Sequence, residues 1–201
     1  NVLSEISPTL FENVQPKLPQ QRAGDHKYRK GHAVLVSGDA LHTGAGRLAA
    51  EAALKSGAGL VTLAGNAQAL AVHANRVTTV MLAEVEDALS LARLFTDERK
   101  NAICIGPASG VGVETQAKVR AVLETAADVV LDADALTSFQ QNPAELFELI
   151  QQRAPASATV LTPHDGEFAR LFKDLAAASE SKIERARAAA RLSGATILLK
   201  G

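Results

Sequence analysis

The chain has 201 residues, a formal net charge of −1 and a charged fraction of 21%, its lysines and arginines scattered among balancing acids. That balance excludes an electrostatic footprint for nucleic acid, and 3% aromatic residues with no tryptophan leave no platform for stacked bases. No apolar run approaches the roughly 20 residues of a membrane span, no signal-peptide pattern is present, and the single cysteine, Cys104, excludes an internal disulfide framework.

One domain with a real core is the expectation at this length, and cysteine usage fits the reducing cytoplasm. Residues 1–24 hold three prolines and little apolar periodicity. They read as a linker or arm with one short helix near Thr9–Asn13. A chain that opens on Asn1 is expected to be a piece of something longer. Residues 25–201 read as the folded domain, entered through the basic stretch DHKYRKG.

The apolar run 33–37 ends at Gly38, a loop DALHTG follows, and an Ala-rich helix runs from about Ala45 to Lys55. A second apolar run at 60–64 completes a strand, turn, helix and strand in the order of a parallel βαβ unit. Gly44 and Gly46 stand where the helix begins. They either close the turn or aim backbone N–H groups at an anion. The spacing is neither a Walker A loop nor a dinucleotide fingerprint.

Further along, 67–74 is helical and 77–82 is a strand. The stretch 85–95 is an amphipathic helix with Val85, Leu89, Ala92 and Phe95 at helical spacing. Strand 101–105, which carries Cys104 as a small buried hydrophobe, ends in Gly106-Pro107-Ala108-Ser109-Gly110. A helix covers 114–125. Strand 129–131 ends in Asp132-Ala133-Asp134, and Pro143 opens a helix to 153. Strand 159–161 ends in TPHDGE, helices follow near 166–173 and 179–193, and strand 196–199 ends at Lys200-Gly201. Fully apolar strands alternating with helices indicate an α/β fold, a mostly parallel sheet with helices on both faces.

Polar and glycine residues therefore collect on the carboxyl edge of the sheet, where open parallel sheets bind ligands. Asp132 and Asp134 either cap the next helix or, pointing the same way from an extended segment, serve a hydroxyl-rich or metal-phosphate ligand. His164, in a strand-end loop, is a functional candidate, while Glu167 fits a structural first-turn acid. Lys200 would bring an ammonium to a nucleotide phosphate or ribose. The remaining histidines show no metal-ligand spacing, no serine sits in a nucleophile elbow, and no metal site is expected from protein ligands alone.

The segments HKYRKGHAVLVSG, HTGAGRLAAEAALKSGAGLVTLA, GPASG, VVLDADAL, TPHDGEFARL and GATILLKG, in this order, resemble the ADP/ATP-dependent NAD(P)H-hydrate dehydratases of the ribokinase-like superfamily. The resemblance implies a metabolite-repair reaction: ADP or ATP phosphorylates the C6 hydroxyl of hydrated NADH or NADPH (the S form), and loss of phosphate restores the dihydronicotinamide. It implies Ala45, Gly106, Gly110, Asp132 and His164 as substrate contacts and Lys200 and Gly201 as nucleotide contacts, with Mg2+ accompanying the nucleotide. It also implies a homo-oligomer, a tetramer, and an upstream epimerase domain in bifunctional members. Two local departures are present: Gly106-Pro107-Ala108 where the family has Gly-Pro-Gly, and Asp165 in place of the proline of His-Pro-Gly-Glu. The family's later Gly-Ser-Gly-Asp segment, which carries the catalytic Asp, lies beyond Gly201, so this chain alone is expected to turn over weakly or not at all. The competing readings are a small-molecule kinase of the same superfamily and a non-catalytic nucleotide-binding fragment.

Overall fold

The structure, a computed structural model, describes residues 27–178 and 181–201. The arm expected over 1–24, with its short helix, lies outside the described residues. The elements are β1 (His32–Val36), α1 (Gly44–Lys55), β2 (Leu60–Gly65), α2 (Ala67–Ala74), β3 (Met81–Glu84), α3 (Ala88–Leu94), β4 (Ala102–Ile105), α4 (Val113–Leu123), β5 (Asp128–Leu131), α5 (Asp134–Thr137), α6 (Pro143–Gln151), β6 (Thr159–Leu161), α7 (Asp165–Leu171), α8 (Lys173–Ala178), α9 (Lys182–Ser193) and β7 (Thr196–Ile197).

The strands lie in the order β3-β2-β1-β4-β5-β6-β7, and every neighbouring pair is parallel. Side chains alternate across a strand, so each strand feeds both faces. Val34, Val36, Ile103, Ile105, Val129 and Leu131 point into one core with Leu91, Val119, Val122, Phe168 and Phe172 from the helices. Leu35, Val61 and Leu63 point into the other, closed by Ala50, Ala53 and Leu54 of α1. Cys104 joins this second layer, and burial pushes its thiol up to about 11, leaving no thiolate for chemistry. The expected doubly covered parallel sheet is what forms.

Three local expectations are corrected. The edge strand β3 is Met81–Glu84 and not 77–82. Its register is set by pairing of Thr62 with Met81 and is carried on by the Val85 N–H donating to the Gly65 carbonyl at 2.9 Å. Helix α3 starts only at Ala88, because Asp87 and Ser90 form a reciprocal capping box. Val85 is thus outside the helix, Leu89 is 60% exposed, and Leu91 with Leu94 and Phe95 turns inward. Finally, the stretch after β6 holds three helices, α7, α8 and α9, where the sequence suggests two.

Candidate functional site

The strand order reverses at β1: the chain leaves it toward β2 on one side and returns as β4 on the other. Loops leaving β1 and β4 must diverge there, which opens a crevice at their carboxyl ends. A cleft of about 510 Å³ occupies that place, lined by Ser37, Gly38, Asp39, His42, Ser109 and Gly110, with Glu86 and Asp134 among its acids and Lys118 as its lysine.

The walls of the cleft are fixed by close backbone approach. A Cβ on Gly38 would lie 2.7 Å from the Cβ and carbonyl oxygen of Ala108 and from the His42 carbonyl, so the β1 and β4 loops touch at a position only glycine allows. Thr115 of α4 donates its hydroxyl to the Ser109 and Gly110 carbonyls. Gly110 N–H donates to Asp134 Oδ2 at 2.9 Å, and Gly112 N–H to Ser138 Oγ at 3.1 Å. Ser109 Oγ, in the cleft wall, is buried with no partner among the described residues. An unmatched buried hydroxyl of this kind is suited to a ligand polar group.

A second cluster sits beside the first, at the ends of β5, β6 and β7. Lys200 Nζ donates to Asp132 Oδ1 at 2.6 Å, the same oxygen that accepts the Ala133 N–H. Both side chains remain partly exposed. His164 is the N-cap of α7: its Nδ1 accepts the Gly166 and Glu167 N–H groups, and Glu167 returns a carboxylate to the His164 N–H. These bonds make Nδ1 the acceptor and place the ring proton on Nε2, which lies 3.4 Å from Glu167 Oε1 on a half-exposed ring. Glu167 itself is buried, the structural acid expected. Lys182 bridges Asp165 at 2.8 Å and reaches the Lys200 carbonyl at 3.3 Å.

The two clusters are locked together beneath the surface. Gly106, with φ +135, packs so tightly on the Asp132 carbonyl that an added Cβ would lie 1.7 Å from its oxygen. Asp132 and Asp134 do not share one extended segment. Ala133 between them has φ +46 and ψ −118, and α5 begins at Asp134. The turn sends Asp132 to Lys200 and Asp134 to Gly110, one carboxylate to each cluster. Ala133 stores strain of about 1–3 kcal/mol in that conformation, and glycine would relieve it at an entropic cost of about 0.5–1 kcal/mol. Ala133→Gly is therefore expected to raise the unfolding free energy by about 1 kcal/mol, read from the urea midpoint.

The sequence candidates thus fall in different places. Gly110 lines the cleft, Gly106 lies buried beneath it, and Asp132, His164 and Lys200 form the neighbouring cluster, with Gly201 exposed beyond Lys200. Ala45 is exposed in the first turn of α1. Of the two glycines there, Gly46 is buried against Leu63 and Ser37 and serves helix-on-sheet packing, whereas Gly44 has nothing within 4 Å of an added Cβ. Among the described residues no group of three His, Cys, Asp or Glu side chains forms a metal-ligating cluster. No described helix is long and apolar enough to cross a membrane.

Sequence reasoning missed Ser37 and His73. Ser37 Oγ lies 2.7 Å from His73 Nε2, both side chains buried. Burial first, then the Arg47 charge, pushes the His73 imidazole below its ordinary 6.5. Burial and the nearby Lys100 do the same to His32, whose Nε2 meets Thr62 Oγ1 at 2.7 Å. A histidine that resists protonation when folded binds fewer protons than the unfolded chain below pH 6.5. The stability it confers is therefore complete above that pH and is lost as pH falls through the lowered folded values. Chemical denaturation at several pH values is expected to give a plateau above about 6.5 and a decline below it, and His32→Gln is expected to flatten part of that decline.

Residues 33–201 match the model of the NAD(P)H-hydrate dehydratase family. The chain is 33% identical to the bifunctional NAD(P)H-hydrate repair enzyme of Synechocystis, with 100% of this chain and 38% of the relative aligned. It is 30% identical to the ADP-dependent (S)-NAD(P)H-hydrate dehydratase of Listeria monocytogenes, over 92% of this chain and 62% of that enzyme. The crystal structure of the Bacillus subtilis ADP/ATP-dependent NAD(P)H-hydrate dehydratase, co-crystallised with ATP and Mg2+, superposes with a TM-score of 0.74 at 27% identity, covering 94% of this chain and 65% of that one. A ribokinase-like superfamily protein from Enterococcus faecalis superposes at 0.72, also at 27% identity, over 96% of this chain and 65% of that one. The chain thus spans less than two fifths of the bifunctional relative it matches.

Proposed function

Because the chain belongs to the NAD(P)H-hydrate dehydratase family, we propose that it acts in the ADP- or ATP-dependent dehydration of hydrated NADH or NADPH, a repair reaction. The observation that carries this reading is the pair of adjoining polar clusters on one sheet edge, tied together through Gly106, Asp132, Asp134 and Gly110. A two-substrate transfer needs two subsites held at a fixed separation.

In this reading the cleft at β1 and β4 holds the hydrated dinucleotide. Gly110 contributes backbone beside Ser109 Oγ, Gly106 sets the turn from beneath, and Ala45 and His164 are the further substrate contacts. Lys200 and Gly201 hold the adenine nucleotide, the lysine charge facing its phosphates, and Asp132 orients that lysine. The terminal phosphoryl group of ADP or ATP moves to the C6 hydroxyl oxygen, leaving AMP or ADP, while the hydroxyl proton passes to the general base, the Asp that the resemblance places beyond Gly201. The ring nitrogen lone pair then expels phosphate from C6, and loss of a C5 proton forms the C5–C6 double bond of the dihydronicotinamide. Mg2+ would enter with the phosphates instead of residing in a protein cage, since Mg2+ sites of this kind need only one or two carboxylates. Asp132, beside Lys200, is the carboxylate of the nucleotide cluster that would hold it, and the ion would neutralise phosphate charge.

The division into an arm at 1–24 and a dehydratase domain at 25–201 is supported by the family match beginning at residue 33. A cytoplasmic tetramer and an upstream epimerase domain complete the reading, the latter supported by the bifunctional relatives. The test is recovery of dihydronicotinamide absorbance from hydrated NADPH or NADH by the full natural protein. ADP- or ATP-dependent recovery is the expected result. Phosphorylation of a small alcohol with no recovery from either hydrate would assign the protein to the kinases instead.

A further inference from the structure

We propose that His73 is a positioning residue: through Ser37 it fixes the Gly38 carbonyl, and with it the loop 38–43 that forms one wall of the cleft. This inference rests on the reading of the cleft as the dinucleotide site.

His73 is fully buried on α2, a helix that is otherwise mostly alanine and aliphatic, where a leucine would fill the space without a polar cost. Its Nε2 meets Ser37 Oγ at 2.7 Å, and its Nδ1 has no partner among the described residues. A buried N–H without an acceptor is rarer and costlier than an acceptor without a donor. The proton therefore sits on Nε2 and is donated to Ser37. The Ser37 hydroxyl in turn donates to the Gly38 carbonyl at 2.9 Å. The chain of bonds has a direction, from α2 through β1 to the loop.

Ser37 has little freedom to answer otherwise. A Cβ at Gly65 would lie 3.2 Å from Ser37 Cβ, and one at Gly46 would lie 3.6 Å from its Cα and Oγ. Glycines on α1 and β2 thus enclose the serine on the sides that His73 leaves open. Gly38 itself presses on Ala108 and on the His42 carbonyl, so a shift of its peptide moves both walls of the cleft. A nucleophile–base pair is not formed here. Nε2 already carries a proton, the serine proton is directed at a carbonyl, and among the described residues no carboxylate supports Nδ1.

The test compares His73→Leu, His73→Gln and Ser37→Ala in the full natural protein. Glutamine keeps an N–H donor near the position of Nε2, and leucine does not. The KM for the hydrated dinucleotide is expected to rise about tenfold or more in the leucine and alanine variants, with the KM for ADP unchanged and with glutamine restoring most of the loss. Amide hydrogen exchange of the peptide spanning 37–44 is expected to speed up in the same two variants and not in the glutamine variant. Unchanged exchange in that peptide, or leucine and glutamine behaving alike, overturns the positioning role whatever the substrate proves to be. If the leucine variant does not fold, exchange in the Ser37→Ala variant decides the role in its place. A wild-type protein that restores neither hydrate overturns the reading of the cleft, while the exchange result still decides the role of His73.

Discussion

Alanine at Gly106 is expected to be the most damaging small substitution in the sheet. The added methyl would lie 1.7 Å from the Asp132 carbonyl oxygen and 2.9 Å from Ala135 Cβ, at a backbone φ of +135 that L-residues rarely adopt. Neither neighbour is a flexible side-chain tip. The Asp132 N–H is also held by the Ile105 carbonyl at 3.1 Å, so the β5 end cannot retreat without breaking the ladder. Strain and clash together place Gly106→Ala among the rare substitutions costing about 4 kcal/mol or more. For a domain of this size that is a fall in melting temperature of about 10 °C. Gly110→Ala is the control: φ is +79, but nothing lies within 4 Å of the added Cβ. It should cost only about 1–2 kcal/mol from the left-handed backbone. Differential scanning calorimetry of the two variants checks the contrast, and equal losses would refute the close approach between the β4 and β5 turns.

The second large effect is expected at Lys200, and it appears in binding and not in folding. The side chain pairs with Asp132 at 2.6 Å while both groups stay in contact with solvent. In such a place a pair adds little stability. A charged contact to a phosphate, by contrast, is worth about 1.5–3 kcal/mol, or about ten- to a hundredfold in affinity. Lys200→Met is therefore expected to weaken ADP binding by that factor with little change in melting temperature. Asp132→Asn should weaken it less, because the asparagine oxygen still accepts the Ala133 N–H and only the orientation of the lysine is relaxed. Calorimetric titration with ADP separates the two. A lysine variant that binds ADP as tightly as the wild type would remove Lys200 from the nucleotide subsite.

What the sequence reveals and what it hides divide along physical lines. Strands β1, β2, β4, β5 and β6 are short, apolar and bounded by glycine or polar residues, and their buried positions leave no choice of face. The edge strand β3 is misplaced by local reading because Val77–Val80 has the right residue types, whereas Met81–Glu84 is chosen by pairing with β2, a contact that no local pattern encodes. Helix α5 has four residues and so carries no periodicity to detect. In α3 the apolar stripe is visible but its phase is not, since a capping box and not the hydrophobic spacing decides where the helix starts. The site shows the same division. Residues directly after apolar strands can be nominated, since the parallel sheet gathers strand ends on one edge. His73 cannot, because it lies on a helix in an ordinary alanine-rich segment and gains its meaning only from Ser37, 36 positions away in sequence.

The strand order also bears on how the chain is made. Of these strands β1 is the first to leave the ribosome, and it becomes an interior strand, third of seven, with β2 and β3 added on one side. Its opposite edge pairs with β4 and stays open until Ala102–Ile105 has emerged. During that interval the nascent domain is a three-stranded half-sheet whose apolar edge strand β1 is bare along one side, the kind of edge that recruits wrong partners. Synthesis that pauses between β3 and β4 should therefore raise the demand for chaperones, and each later strand covers the edge that its predecessor leaves open.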